Sequence, residues 1–297
     1  MNTVVSSVRV WGEMVKFSHS VFALPFAAMS AFLAGRNIEG RGWPFLTQLV
    51  LMVVCMVSAR SVAMTFNRIV DAEIDARNPR TADRPLPAGK LTRTAAHLML
   101  AFAVTIFALG CLGFFLFYGN TWPILLSGPV VLYLCLYSYA KRVTRWSHFI
   151  LGSAIAFSPV AAWLAIHPES VGWEAVLLMV SVTGWIAGFD IIYACLDLDF
   201  DRREGLHSLP ANIGPAAALL IARMCHVVTV ACWVALGIVS GLGWIYAVGV
   251  TLAAILLAVE NTLVRPGDYR RVNLAFFTFN GVISVLLASA AIVDVLV

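Results

Sequence analysis

Long apolar stretches separated by short polar ones dominate this chain of 297 residues. Stretches near the ~20 residues that a bilayer core requires fall at about 16–35, 44–66, 92–117, 121–140, 147–166, 173–195, 213–240, 243–263 and 273–296. Those at 44–66, 173–195 and 273–296 are the cleanest, whereas Lys16, Ser18, His19, Ser20 and Pro25 interrupt the first. The pattern predicts an all-α membrane protein: nine transmembrane helices around a central cavity, forming one integral-membrane domain over 1–297. The longest polar stretch runs only from about 67 to 93, and its Asn78-Pro79 and Arg84-Pro85-Leu86-Pro87-Ala88-Gly89 predict a helix end followed by turns. A second polar loop, Asp197 to Pro215, breaks likewise at Ser208-Leu209-Pro210 and Gly214-Pro215. The parallel points to an internal duplication, spans 2–4 against 6–8, which would bring the two loops face to face.

Composition agrees with a membrane protein: 61% of residues are hydrophobic and 12% charged, against roughly a quarter charged in a soluble domain. Basic residues set the orientation. With the gaps numbered alternately, one side receives Arg9 and Lys16, the six from Arg68 to Arg93, Lys141, Arg142 and Arg145, Arg202 and Arg203, and Arg265, Arg270 and Arg271. The other side has only Arg36 and Arg41, with Arg60 and Arg223 inside spans. The positive-inside rule then predicts a cytoplasmic N-terminus, cytoplasmic polar loops and an external C-terminus. The net charge of +4 is accordingly a topology signal and no hint of nucleic-acid binding. The first ten residues hold one Arg and no apolar core, so no cleavable signal peptide is expected. Six Cys (55, 111, 135, 195, 225, 232) without a C-x-x-C read as buried packing thiols.

The candidate chemistry lies where apolar helices meet the polar loops. Asn67-Arg68-Ile69-Val70-Asp71-Ala72-Glu73-Ile74-Asp75 closes one helix, and Asp197-Leu198-Asp199-Phe200-Asp201 closes another. In each, two carboxylates stand four residues apart (Asp71 and Asp75, Asp197 and Asp201), so a continuing helix projects them from one face. Carboxylates gathered in a low-dielectric setting require a cation between them. Mg²⁺ fits, because it prefers carboxylate oxygens together with those of a phosphorylated substrate. Acidic residues at helix C-termini oppose the macrodipole, which argues against ordinary solvated ends. Asp190 lies seven residues before Asp197 on the expected common face, about 10 Å deeper at ~1.5 Å per residue, and Arg60 stands equally deep before Asn67. Such intramembrane charges line a polar cavity or pair with each other. Lys141 and Arg142, after Tyr137, are candidate diphosphate cations or interface anchors, and His19 is a candidate acceptor contact. Glu260, Asn261 and Asn280 read as interhelical hydrogen-bonding residues.

These residues resemble the UbiA superfamily of intramembrane prenyltransferases, whose signature is N-D-x-x-D-x-x-x-D followed by a second aspartate cluster. The first is matched by Asn67, Asp71 and Asp75, continuing into Asn78, Arg80, Thr81 and Arg84-Pro85-Leu86-Pro87, with Arg68 where Asp is usual. The second is matched by Asp190, Tyr193, Asp197, Asp199 and Asp201, followed by Gly205 and Ser208. The opening Lys16-Phe17-Ser18-His19-Ser20-Val21-Phe22-Ala23-Leu24-Pro25 is similar to the bacterial 4-hydroxybenzoate branch and to its menaquinone counterpart, whose acceptor is 1,4-dihydroxy-6-naphthoate. The resemblance implies a bacterial inner-membrane enzyme of quinone biosynthesis, transferring a polyprenyl group from polyprenyl diphosphate to an aromatic acid with Mg²⁺ as cofactor. Asp71, Asp75, Asp197 and Asp201 would hold metal. Asn67, Arg60, Lys141, Arg142, Tyr137, Tyr193 and His19 would bind substrate, and Asp190, with Arg60 and Lys141, would serve catalysis. The alternatives are transfer to haem, chlorophyllide or a glycerol phosphate, or, from another class, a secondary transporter. A transporter places its site near the midplane, whereas eight of the sixteen acidic residues here gather in two loops.

Overall fold

The computed structural model describes Gly12 and residues 22–297. Among these residues the regular structure is helical, apart from one isolated bridge between Arg265 and Asp268. The helices are α1 (Leu24–Gly35), α2 (Leu46–Arg77), α3 (Arg93–Tyr118), α4 (Trp122–Leu136), α5 (Ala140–Val143), α6 (Ser147–Ile166), α7 (Trp173–Ala194), α8 (Leu198–Glu204), α9 (Leu209–Ile213), α10 (Pro215–Val239), α11 (Trp244–Leu263) and α12 (Asn280–Leu296). Short 3₁₀ turns at Tyr137–Tyr139 and Cys195–Asp197 join α4 to α5 and α7 to α8, and a π-helical stretch, Leu274–Phe279, opens α12.

Eight of these segments are long and apolar enough to cross a membrane, and they match the expected spans from the second to the ninth. The expected first span is represented by α1, a 12-residue apolar helix starting with Pro25 in its first turn. The earlier part of that span, including His19, lies outside the described residues. Against the expected nine spans, the described residues hold eight membrane-length helices and one shorter apolar helix.

Helix boundaries follow local chemistry. The Thr92 hydroxyl caps α3 by accepting from the Ala95 N–H at 3.2 Å, and Gly119 ends that helix at φ 65°. Gly205, at φ 66°, ends α8 just after the second acidic motif. That left-handed conformation is open to glycine at little cost.

Chain contacts divide the molecule into two units; one holds Val50–Ser138 and the other joins Val21–Leu49 to Tyr139–Val297. In the first, α3 approaches α2 through glycines: a methyl on Gly110 would meet Cys55 Sγ at 2.7 Å, and one on Gly113 would meet Leu51 at 2.7 Å. In the second, α7 is the central helix, with Leu178, Val182, Trp185, Ile186 and Ile191 wholly buried. A Cβ on Gly152 of α6 would sit 2.5 Å from the Thr183 carbonyl of α7, and one on Gly188 of α7 would strike the His226 ring of α10. Small residues replace the hydrophobic effect as the means of close helix approach in lipid. The expected interhelical polar contacts are present: Trp185 Nε1 donates to Asn280 Oδ1 (2.7 Å), Asn280 Nδ2 to Glu260 Oε1 (2.9 Å) and Asn261 Nδ2 to His226 Nδ1 (2.7 Å).

Candidate active site

The first acidic motif lies on uninterrupted α-helix, because α2 continues beyond the apolar span that closes at 66 and runs to Arg77, just before the helix end expected at Asn78-Pro79. Asp71 and Asp75 therefore share one face, as the spacing predicts, and both are buried. Glu73, between them, points away to an exposed 3.1 Å pair with Arg93. Asn67 Nδ2 donates to Asp71 Oδ2 at 2.9 Å. The Arg84 guanidinium, brought round by the turns after Asn78, donates to both Asp75 oxygens at 2.7 Å. Those turns are shaped by Asn78, whose Oδ1 accepts from the Arg80 N–H (3.0 Å), and by Thr81, whose hydroxyl donates to the Asp75 carbonyl (3.0 Å). Arg68 is buried inside the motif: it donates to Asn67 Oδ1 at 3.2 Å and lies 4.0 Å from Asp75. It thus adds positive charge at the position where the family signature carries an acid. In the same unit Tyr137 donates to the Ala63 carbonyl at 3.5 Å, and Arg60 lies close enough to interact electrostatically with the Tyr137 hydroxyl.

The second motif departs from a regular helix. Three residues of 3₁₀ turn, Cys195–Asp197, separate α7 from α8. At ~120° per residue in place of ~100°, they rotate α8 by about 60° relative to an unbroken continuation of α7. Asp190 and Asp201 are thus offset from the common face that an unbroken helix would give them. Asp201 is buried, Asp197 half-buried and Asp199 exposed. The Ser208 hydroxyl accepts from the Ala211 N–H (3.4 Å) and donates to Asp201, on which the charges of Asp197 and Lys141 also act. Arg142 stacks over the Tyr139 ring at 5.4 Å, and Tyr193 packs on Phe276 with centroids 4.3 Å apart.

Asp190 is held by a residue absent from the sequence expectation. His148, in the first turn of α6, places Nδ1 2.7 Å from Asp190 Oδ2, and its Nε2 accepts from the Leu209 N–H at 3.2 Å. The His148 side chain is buried and that of Asp190 is 24% exposed. No spacing rule reaches across the 42 residues between them.

The donor set of the two motifs fits Mg²⁺, which prefers hard carboxylate oxygens of the kind that Asp71, Asp75, Asp197 and Asp201 supply. Among the described residues, no three of His, Cys, Asp or Glu gather into a metal site by themselves. In the first motif, the single Arg84 nitrogen that reaches both Asp75 oxygens leaves further lone pairs on them.

Comparison with known proteins places the chain in a family. Residues 23–282 match the UbiA prenyltransferase family, and the protein belongs to it. A 4-hydroxybenzoate octaprenyltransferase of Aliivibrio salmonicida is 30% identical over 265 residues, covering 88% of this chain and 89% of its own. The corresponding enzyme of Vibrio cholerae is 31% identical over 229 residues, with 77% and 78% covered. Among solved structures, an apo UbiA homolog from Aeropyrum pernix K1 is similar with a TM-score of 0.81 at 31% identity, covering 93% of this chain and 98% of the other. A UbiA homolog from Archaeoglobus fulgidus bound to GPP and Mg²⁺ shares the fold, with a TM-score of 0.67 at 17% identity and 97% and 100% covered. The chain is therefore a prenyltransferase of integral-membrane type, which sets the transporter reading aside.

Proposed function

We propose that this protein transfers a polyprenyl group from polyprenyl diphosphate to an aromatic quinone precursor, 4-hydroxybenzoate or 1,4-dihydroxy-6-naphthoate. It would do so as one membrane domain of the bacterial inner membrane, with the N-terminus and both aspartate motifs cytoplasmic. The observation that carries the reading is the pair of family aspartate motifs, each with a buried carboxylate and a cationic side chain beside it: Asp75 with Arg84, and Asp201 with Lys141. The relatives named 4-hydroxybenzoate octaprenyltransferase support the aromatic acceptor, and the GPP- and Mg²⁺-bound homolog supports the donor and the metal.

In this reading Asp71, Asp75, Asp197 and Asp201 hold Mg²⁺. When bound, the metal neutralises the diphosphate and makes it a better leaving group. Asn67 fixes the Asp71 carboxylate, while Arg60, Lys141 and Arg142 take up the remaining diphosphate charge. Tyr137 and Tyr193 are candidate substrate-binding residues, as is His19, which lies outside the described residues. The allylic carbon–oxygen bond breaks, diphosphate leaves, and a ring carbon of the acceptor bonds to the allylic carbon and then loses its proton. Asp190 orients the phenol and accepts its hydroxyl proton, which raises the electron density of the ring, and returns that proton to the oxygen once the ring proton has left to solvent and aromaticity is restored. The test is incubation of purified protein with Mg²⁺, geranyl diphosphate and a panel of acceptors, followed by mass spectrometry. Geranylated 4-hydroxybenzoate or 1,4-dihydroxy-6-naphthoate is expected, and product only with haem, chlorophyllide or a glycerol phosphate would reject the aromatic assignment.

A further inference from the structure

The two hydrogen bonds of His148 fix its tautomer. A ring nitrogen that accepts from a backbone N–H carries no proton, so the Leu209 bond at Nε2 puts the ring proton on Nδ1, where it donates to Asp190 Oδ2. The ring is neutral and both nitrogens are engaged, so it is not free to act as a base. Asp190 keeps its other oxygen, Oδ1, without a partner among the described residues, on a side chain that remains partly exposed.

The Leu209 end of this bridge is itself anchored. The His207 N–H donates to the Lys141 carbonyl at 2.6 Å, and Ser147 Oγ donates to the His207 carbonyl at 3.3 Å. Ser208, between His207 and Leu209, bonds Asp201. The segment 141–148 and the turn 207–209 thus hold each other, and His148 ties Asp190 into the frame that also carries Lys141 and Asp201.

We propose that His148 is a positioning residue: it aims the Asp190 carboxylate at the aromatic acceptor and registers it against the diphosphate-side groups Lys141 and Asp201. This rests on the prenyl-transfer reading above. A purely structural histidine would stabilise the helix packing and affect both substrates alike. A positioning histidine affects the acceptor alone.

The experiment uses full-length protein in lipid, with Mg²⁺, geranyl diphosphate and either 4-hydroxybenzoate or 1,4-dihydroxy-6-naphthoate, and measures kcat and KM for each substrate separately. His148→Phe removes both bonds at similar volume and is expected to lower kcat/KM for the acceptor by about 10–100-fold, the usual scale for a group that orients a functional ligand. KM for geranyl diphosphate should stay within about threefold, because the residue does not touch the diphosphate side directly. His148→Asn retains a donor near Nδ1 and should recover most of the loss, whereas His148→Gln, whose amide reaches toward Leu209, should not. Asp190→Asn combined with His148→Phe should be no worse than Asp190→Asn alone, since the two act through one carboxylate. Equal loss for both substrates, additive losses in the double variant, or no difference between His148→Asn and His148→Gln would overturn the proposal. Should His148→Phe fail to fold, the Asn and Gln comparison decides the matter.

A second readout does not depend on the acceptor. In ¹⁵N-histidine NMR of the wild type, His148 should show a protonated Nδ1 whose shift changes in Asp190→Asn. The opposite tautomer, or an unchanged shift, refutes the bridge. If the wild type geranylates no aromatic acceptor yet shows the bridged tautomer, the acceptor reading has failed while the His148–Asp190 link stands.

Discussion

Arg84→Met tests whether Asp75 is held as a buried anion ready to exchange one cation for another. Arg84 meets both Asp75 oxygens at 2.7 Å, and the side chains of the pair are 22% and 5% exposed. Removing one partner of a buried pair costs ~3–5 kcal/mol, because the other is left charged without compensation. Two features lower that figure: Arg84 is partly solvated, and the Arg68 guanidinium remains 4.0 Å from the carboxylate. The expected loss is therefore about 2 kcal/mol, roughly a 30-fold fall in the folding equilibrium. The assay is denaturant unfolding of the detergent-solubilised protein in metal-free buffer. Repeating it with Mg²⁺ and geranyl diphosphate should stabilise Arg84→Met more than the wild type, since the metal supplies the charge that the variant lacks. Arg84→Lys, which keeps the charge on a shorter side chain with a compact, more strongly hydrated head, should lie between them. A metal-free loss below about 0.5 kcal/mol would show that Arg84 is not the counter-ion that keeps Asp75 buried. A full-sized loss that Mg²⁺ and geranyl diphosphate leave unchanged would remove Asp75 from the metal ligands.

Asp71→Ala and Asp197→Ala should each lower turnover by several orders of magnitude with folding retained, and excess EDTA should do the same to the wild type; undiminished activity in EDTA would end the metal proposal. A reporter active only outside the cytoplasm should give signal when fused at Val297 and none after Lys90, and the reverse pattern would overturn the orientation argued from the basic residues. Gly152→Ala forces a methyl to 2.5 Å from the Thr183 carbonyl and should destabilise the protein by ~1–3 kcal/mol; an unchanged unfolding midpoint would mean that α6 and α7 separate at little cost.

How far the chain could be read depends on the range of the interactions involved. The apolar spans and the face shared by Asp71 and Asp75 rest on local periodicity, and α2 preserves that periodicity through Arg77. The second motif has the same four-residue spacing, yet a 3₁₀ turn at Cys195–Asp197 shifts its phase. A 3₁₀ and an α turn differ by a single hydrogen-bond register, too little to leave a mark in residue type. The π-helical stretch Leu274–Phe279 was equally hidden. It precedes Asn280, which bridges Trp185 and Glu260 from two other helices, and a bulge of this kind is sustained by tertiary partners. Arg84 stood within the first motif's extension, but its hold on Asp75 depends on the turns that bring it back across nine residues. His148 is the extreme case. Its role depends on a carboxylate 42 residues away and a backbone N–H 61 residues away. A histidine at the start of an apolar helix, with no acid at helical spacing, carries no signal of either. The aspartates that meet solutes announce themselves by clustering at helix ends, whereas the groups that aim them are single residues recruited from elsewhere in the fold. For this chain the residues that set the site's geometry are therefore to be sought among the polar partners of the motif aspartates: His148 on Asp190, Ser208 on Asp201 and Arg84 on Asp75.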